Sequence, residues 1–97
     1  LGGLGSYAVQ WVRALMPYAR LLVADLKEEA AEFASKLARP EAAINPSRED
    51  PVKAVMETTG GEGVRAVIDL VGSERTVSTY IRAVGVLGSY VMVGCTT

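Results

Sequence analysis

Two glycines near the start of the chain have the spacing of the last two glycines of a phosphate-binding turn. The segment from Leu1 to Gly5, LGGLG, fits the last five positions of a G-x-G-x-x-G motif, with Gly2 and Gly5 as its second and third glycines. A glycine at the second position lets the backbone approach a pyrophosphate without a Cβ in the way, and one at the third lets a helix pack close to a sheet. The N–H groups that begin the following helix favour negative phosphates. Taken alone, the segment also fits an ordinary tight turn.

Asp25 lies twenty residues after Gly5. A helix from about Gly3 to Met16 advances roughly 20 Å at 1.5 Å per residue, and a strand from Arg20 to Asp25 returns about 20 Å at 3.3 Å per residue. Asp25 is therefore expected at the sheet edge that holds the glycine turn. A carboxylate there accepts hydrogen bonds from both hydroxyls of an adenosine ribose and repels a 2′-phosphate, which favours NAD over NADP. The alternative is a solvated acid at a strand end.

Apolar periodicity and capping residues predict alternating helices and strands along the whole chain. The predicted helices are one that becomes regular from Gly5, one at Lys27–Ala38, one capped by Asp50 and ended by Gly60-Gly61, and one capped by Ser73 and closed by Gly85. The predicted strands are Arg20–Asp25, Ala42–Asn45, Ala66–Val71 and Tyr90–Val93. Strict alternation with short links predicts an α/β fold with a parallel sheet covered by helices.

Two further strand ends carry a Val-Gly pair, Val71-Gly72 and Val93-Gly94. Ligands bind outside the carboxyl ends of parallel strands. The backbone of both pairs is therefore expected to pass beneath a bound nucleotide. The alternative is that Gly72 and Gly94 only serve the turns in which they lie.

The composition excludes several other classes of function. The chain has 97 residues, a net charge of -1, no histidine and one cysteine, Cys95. This length allows one small domain at most, and the chain lacks the charge to hold nucleic acid or an anionic membrane. It lacks the commonest general base and the commonest zinc ligand, and no apolar run reaches a membrane-spanning length. We expect a cytoplasmic protein in which this chain supplies no catalytic residue and no metal ligand.

Three longer runs, LGGLGSYAVQ, DPVKAVMETTGGEGVRAVIDLVGS and SYVMVG, resemble the nucleotide-binding domain of medium-chain dehydrogenases, the zinc alcohol dehydrogenase superfamily. The resemblance runs from Leu1 to about Gly94. It implies a Rossmann-type, doubly wound parallel sheet and hydride transfer between an alcohol or carbonyl substrate and NAD. It also implies a homo-oligomer whose zinc is bound outside these residues.

The resemblance further implies a role for individual residues toward the cofactor. Gly2, Gly3 and Leu4 would line the pyrophosphate, Asp25 would bind the adenosine ribose and Lys27 would flank it. Val71 and Gly72 would lie beside the adenosine half, and Val93 and Gly94 would approach the nicotinamide half.

The chain is expected to be an incomplete domain. It opens inside the glycine turn, so the strand that leads into the turn, the central one of a 3-2-1-4-5-6 sheet, would be missing together with a C-terminal strand. Residues 1–97 would then be part of a dinucleotide-binding domain without its catalytic domain. We do not expect these residues to be active alone.

Four other functions remain open at this point. Within the superfamily these are a sorbitol- or threonine-type dehydrogenase and a zinc-free quinone or enoyl reductase, although Asp25 argues against the reductases, which commonly prefer NADP. Outside it they are a non-catalytic NAD-sensing module and an S-adenosylmethionine methyltransferase. The continuous resemblance through Val93 and Gly94 disfavours the methyltransferase.

Overall fold

A computed structural model describes residues 2–94, with side chains for residues 7–30 and 32–94. The elements in chain order are α1 (Gly2–Leu15), β1 (Leu22–Ala24), α2 (Glu28–Ala38), β2 (Ala42–Ile44), α3 (Pro51–Thr58), β3 (Val64–Asp69), α4 (Glu74–Tyr80), one 3-10 turn (Ile81–Ala83) and β4 (Val84–Met92). The chain divides into two compact units, residues 1–49 and 50–97. The predicted alternation of helices and strands is confirmed.

Each unit contributes one pair of parallel strands among the described residues. In the first, β1 pairs with β2 so that Leu22 faces Ala42 and Ala24 faces Ile44. In the second, β3 pairs with β4. The prediction of parallel strands in an α/β fold is therefore confirmed. The expected absence of a first and a C-terminal strand stays a prediction.

Small side chains allow α1 and α2 to approach each other closely in the first unit. Ala34 and Ala38 of α2 are 0% and 1% exposed, and they cluster with Val9 of α1 and Val23 of β1. Leu21 packs against this cluster from the start of the strand. Only part of the apolar side predicted for each helix thus lies in this core, because several of its larger side chains are exposed.

Polar caps fix where three helices begin or end. Asp50 accepts hydrogen bonds from the N–H groups of Val52 and Lys53 at the start of α3, and Ser73 forms a capping box with Thr76 at the start of α4. Both caps were predicted. At the end of α2, Arg39 adopts the left-handed conformation with φ 48°, a position that favours glycine.

The glycine segment differs from its prediction. Helix α1 begins at Gly2, so Gly2, Gly3, Leu4 and Gly5 form its first turns and do not form a separate turn before it. Glycine allows this because its freedom includes the helical region. Leu1 lies outside the described residues.

The predicted strand limits differ from the observed ones, and two of the differences have a clear structural cause. Strand β3 ends at Asp69 and not at Val71, because the Asp69 side chain captures the next backbone N–H groups. Strand β4 begins at Val84, so Gly85 lies within a strand and does not close a helix. The pairing is irregular there, since Val84 faces Val64 but Ser89 already faces Ala66.

In the part of the chain that the structure describes, the helices are too short or too polar to cross a membrane.

Arg13 joins three segments of the first unit. Its Nε donates to the carbonyl of Ala38 at 2.8 Å, and its Nη1 donates to the carbonyls of Pro17 and Ala19 at 3.0 and 2.8 Å. One planar guanidinium thus holds the end of α2 and the loop after α1.

We expect Arg13→Lys to lower the free energy of unfolding by about 2 kcal/mol, because a single ammonium cannot serve three carbonyls in fixed directions. Denaturant unfolding of the complete natural protein that carries this chain measures the effect. Arg82→Lys is the matched control, since the Arg82 side chain is exposed and substitutions of exposed side chains usually change stability little. Equal losses in the two variants would contradict the role assigned to Arg13.

Candidate cofactor site

An open groove lies at the carboxyl ends of β1 and β2. Its volume is about 420 Å³, within the range of roughly 300–1,000 Å³ typical of small-molecule sites. The lining residues come from the two strand ends, from α2 and from the turn after β2: Asp25, Glu28, Glu32, Ala43, Asn45, Arg48 and Glu49. The groove lies wholly within the first unit.

Asp25 lies directly after β1 and lines the groove. That it shares this edge of the sheet with the glycine turn stays a prediction. Its backbone N–H donates to the carbonyl of Ile44 at 3.0 Å, which continues the ladder between β1 and β2 by one bond. Its Oδ1 accepts the backbone N–H of Lys27 at 2.9 Å. A carboxylate has about four acceptor sites, so this bond is compatible with further donors from a ligand.

Lys27 precedes the first residue of α2 and has an exposed side chain. Its backbone N–H is the donor to Asp25. The structure therefore places the Lys27 backbone beside Asp25, and the expected position of Lys27 next to the ribose stays a prediction.

Asn45 builds the opposite wall of the groove. Its Oδ1 accepts the N–H of Ser47 at 3.0 Å, and its backbone carbonyl accepts the N–H groups of Arg48 and Glu49 at 2.9 and 3.2 Å. Its Nδ2 donates to the carbonyl of Leu26 at 3.4 Å, which links this turn to the loop after β1. Asn45 thus fixes the two loops between which the groove lies.

Asp69 organises the corresponding strand end in the second unit. Its Oδ1 accepts the N–H groups of Val71 and Gly72 at 3.0 and 2.8 Å. Its Oδ2 accepts the hydroxyls of Thr76 and Tyr90 at 2.7 and 2.6 Å. One carboxylate, 6% exposed, therefore holds the loop after β3, the start of α4 and strand β4.

The four donors around Asp69 decide its ionisation. Burial acts to raise the pKa of Asp69, but the two hydroxyls and two backbone N–H groups outweigh it and hold the pKa below its ordinary value of 3.8. Burial and the hydrogen bond to Asp69 raise the pKa of Tyr90 well above its ordinary value of 10.0. Asp69 thus stays ionised and Tyr90 stays a donor over the neutral range.

A left-handed backbone conformation explains the glycine of the first Val-Gly pair, and close backbone approach explains that of the second. Gly72 is buried with φ +66°, a conformation that other residues rarely adopt. A Cβ on Gly94 would collide with the carbonyl oxygen of Leu70. The backbone N–H groups of Val93 and Gly94 both donate to the carbonyl of Asp69, at 2.9 and 3.3 Å.

The structure brings the predicted site residues together in two separate groups. Asp25 and Lys27 meet at the groove, and the two Val-Gly pairs meet beside Asp69, where the Val71 and Val93 side chains are 51% and 55% exposed. The assigned roles of these residues, and those of Gly2, Gly3, Leu4 and Gly5, stay predictions.

Sequence reasoning missed two groups of residues. The first group, Glu28, Asn45 and Arg48, shares the groove with Asp25. The second group, Asp69, Thr76 and Tyr90, shares one hydrogen-bond network. A signal existed for Asp69, because it is the one charged residue in the otherwise apolar run AVIDLV and precedes a glycine by three positions.

Comparison with known proteins gives one family match that spans both units of the chain. A family model described as zinc-binding dehydrogenase matches residues 3–97. The chain belongs to this family. The match includes both the groove and the Asp69 network.

Individual relatives extend the assignment. An NAD-dependent alcohol dehydrogenase of Saccharolobus solfataricus is 45% identical over 93 residues, which cover 96% of this chain and 26% of the relative. The solved alcohol dehydrogenase of Aeropyrum pernix is 40% identical with a TM-score of 0.88, covering 98% of this chain and 27% of that one. A quinone oxidoreductase of Pseudomonas syringae is 36% identical with a TM-score of 0.85, covering 97% and 28%. The chain therefore spans about a quarter of the length of these zinc-binding dehydrogenase relatives.

Tyr90→Phe tests the Asp69 network. We expect it to lower the free energy of unfolding by about 1–2 kcal/mol, because it removes one donor from a buried carboxylate. Since the pKa of Tyr90 is raised in the folded state, its contribution is full below pH about 10 and is lost as the pH rises further. The variant should therefore lose less stability than the natural protein above that pH.

Unfolding measured between neutral pH and the alkaline limit provides the readout. Tyr18→Phe is the control. Because Tyr18 is 97% exposed, this substitution should leave the free energy of unfolding almost unchanged. If the two variants had the same stability and the same pH profile, the assigned role of Tyr90 would be wrong.

Proposed function

We propose that this chain is the NAD-binding part of an oxidoreductase that transfers a hydride between an alcohol and the nicotinamide ring. The observation that carries the proposal is the position of Asp25, a partly buried carboxylate at the end of β1 that lines a groove of about 420 Å³. The zinc-binding dehydrogenase match over residues 3–97 and the named alcohol dehydrogenases support it.

The residues present fit the adenosine half of a dinucleotide. Asp25 accepts the ribose hydroxyls, and its existing bond to Lys27 fixes the direction of the carboxylate. Asn45 holds the facing wall. A ribose with a free 2′-hydroxyl suits this carboxylate, whereas a 2′-phosphate meets a like charge.

The two Val-Gly pairs contribute backbone and not chemistry. Glycine is required at both strand ends. A side chain at position 72 would be strained by the positive φ, and one at position 94 would collide with the backbone. Exposed Val71 and Val93 offer apolar contact to the cofactor. The bound nicotinamide supplies the hydride chemistry, and the residues of this chain bind and orient it.

The residues that the structure describes do not form a zinc site. The sequence has no histidine, and no three Cys, Asp or Glu side chains among residues 7–30 and 32–94 converge as metal ligands. We assign no step of the reaction to zinc held by these residues.

A quinone oxidoreductase is the second candidate, favoured by the fold match at a TM-score of 0.85. The two candidates differ in the substrate that the complete protein turns over with a reduced or oxidised nicotinamide. Oxidation of simple alcohols with NAD supports the first, and reduction of a quinone without alcohol turnover supports the second.

Binding of NAD and NADP to the complete natural protein tests the proposal by calorimetry. We expect NAD to bind at least about tenfold more tightly, because Asp25 repels the 2′-phosphate. Asp25→Gly should relax this preference. Tighter binding of NADP by the natural protein would refute the role assigned to Asp25.

Asp25→Asn separates the charge of the carboxylate from its local turn. An amide oxygen can still accept the Lys27 N–H, so the loop should keep its shape while the repulsion disappears. We expect this variant to unfold at nearly the natural temperature and to discriminate less against NADP. A preference that persists in Asp25→Asn would assign selectivity to some other group.

A further inference from the structure

One ion pair lies across the charged wall of the groove. The guanidinium of Arg48, in the turn after β2, contacts the carboxylate of Glu28 at the start of α2. Both residues line the groove together with Asp25. Arg48 is the only cation among these lining residues, and the other charged ones are acids.

The turn built by Asn45 fixes the backbone of Arg48. The Arg48 N–H donates to the carbonyl of Asn45 at 2.9 Å, and the Asn45 amide donates to the carbonyl of Leu26, one residue after Asp25. The arginine is therefore held at the groove by the same residue that joins its two walls. An arginine near the ribose is the group with which dinucleotide sites accept a 2′-phosphate, since its guanidinium forms paired hydrogen bonds with phosphate oxygens.

We propose that Glu28 determines cofactor specificity by holding Arg48 away from a 2′-phosphate. The inference rests on the proposed function, and it adds a second barrier to the repulsion by Asp25. Asp25 acts on the phosphate directly, while Glu28 occupies the one lining guanidinium that would bind it. In this arrangement the groove contains an arginine that could bind the 2′-phosphate of NADP, and the ion pair with Glu28 prevents that contact.

The exposure of the pair separates this role from a structural one. The Arg48 and Glu28 side chains are 70% and 54% exposed, and ion pairs at such positions contribute little to stability. Glu28 also lies in the first turn of α2, where Glu29 supplies a second negative charge to the helix start. Replacing Glu28 with glutamine should therefore change the charge of the groove and leave the fold intact.

The test measures NAD and NADP affinity by calorimetry on the complete natural protein and on Glu28→Gln, each also with Asp25→Asn. We expect Glu28→Gln to tighten NADP binding about fivefold, because a released guanidinium gains charge-assisted hydrogen bonds to phosphate. The gain should be larger in the Asp25→Asn background. In each background, adding Glu28→Gln should change NAD affinity by no more than about twofold, since NAD offers no 2′-phosphate to Arg48.

Two further variants assign the gain to Arg48. Glu32→Gln is the matched control, because Glu32 lines the same groove and its loss removes the same charge without breaking the Glu28–Arg48 pair. It should give a smaller change. Adding Arg48→Gln to Glu28→Gln should abolish the NADP gain, and thermal unfolding should show all variants folded.

Each contrary outcome has a distinct meaning. If Glu28→Gln leaves NADP affinity unchanged, if Glu32→Gln matches it, or if the gain survives Arg48→Gln, the inference about Glu28 is overturned while the proposed function stands. If Glu28→Gln weakens NAD binding by as much as it was expected to tighten NADP binding, Glu28 contacts the cofactor itself, and this too overturns the inference. If the natural protein binds neither NAD nor NADP, the proposed function fails and the inference fails with it.

Discussion

Three of the four strands that the structure describes end in the same local interaction, and both candidate cofactor regions depend on it. Asp25 follows β1, Asn45 follows β2 and Asp69 ends β3, and in each the side-chain oxygen accepts the backbone N–H two residues further along. A parallel strand that leaves its ladder exposes N–H groups that need partners. A short Asp or Asn side chain supplies the partner at once and turns the chain. The loops that face a ligand are thereby fixed at their first residue.

The same turn serves two purposes because its surroundings differ. Asp69 is nearly inaccessible, and four donors saturate its carboxylate, so its charge is used up inside the protein. Asp25 remains partly exposed and faces a groove. A buried carboxylate is tolerable only when its hydrogen bonds are made internally. The local sequence chemistry is therefore alike at both positions. Burial makes Asp69 a purely internal acceptor, whereas Asp25 both holds its loop and faces the groove.

Sequence patterns sufficed where the determining interaction is local. Asp50 and Ser73 begin helices because each caps N–H groups within three residues of itself. That Asp25 lies at the carboxyl end of a strand also followed from the short apolar run before it. These features need no knowledge of distant parts of the chain.

Features that depend on pairing between distant segments could not be predicted from the sequence. Arg48 reaches the groove only because Ala24 pairs with Ile44 in the parallel register, which sets the turn after β2 beside the loop after β1. The start of β4 was misplaced for a similar reason. Val84 pairs with Val64 through an irregular register, although the Gly85 that follows it looks locally like the end of a helix. Periodicity along one segment carries no information about either partner.

The charge of the groove limits what it can contribute to binding. Four carboxylates and one guanidinium line it, so it does not attract a dinucleotide whose pyrophosphate is itself negative. On the proposed function, attraction must come from elsewhere, and the N–H groups at the start of α1 carry the appropriate partial charge. The groove then selects between cofactors. Its hydrogen-bond acceptors match ribose hydroxyls, and its net negative charge disfavours a cofactor with a 2′-phosphate. Affinity and selectivity would reside on different elements of this chain, which is why a substitution at the end of β1 or at the start of α2 can alter the choice of cofactor without removing the ability to bind one.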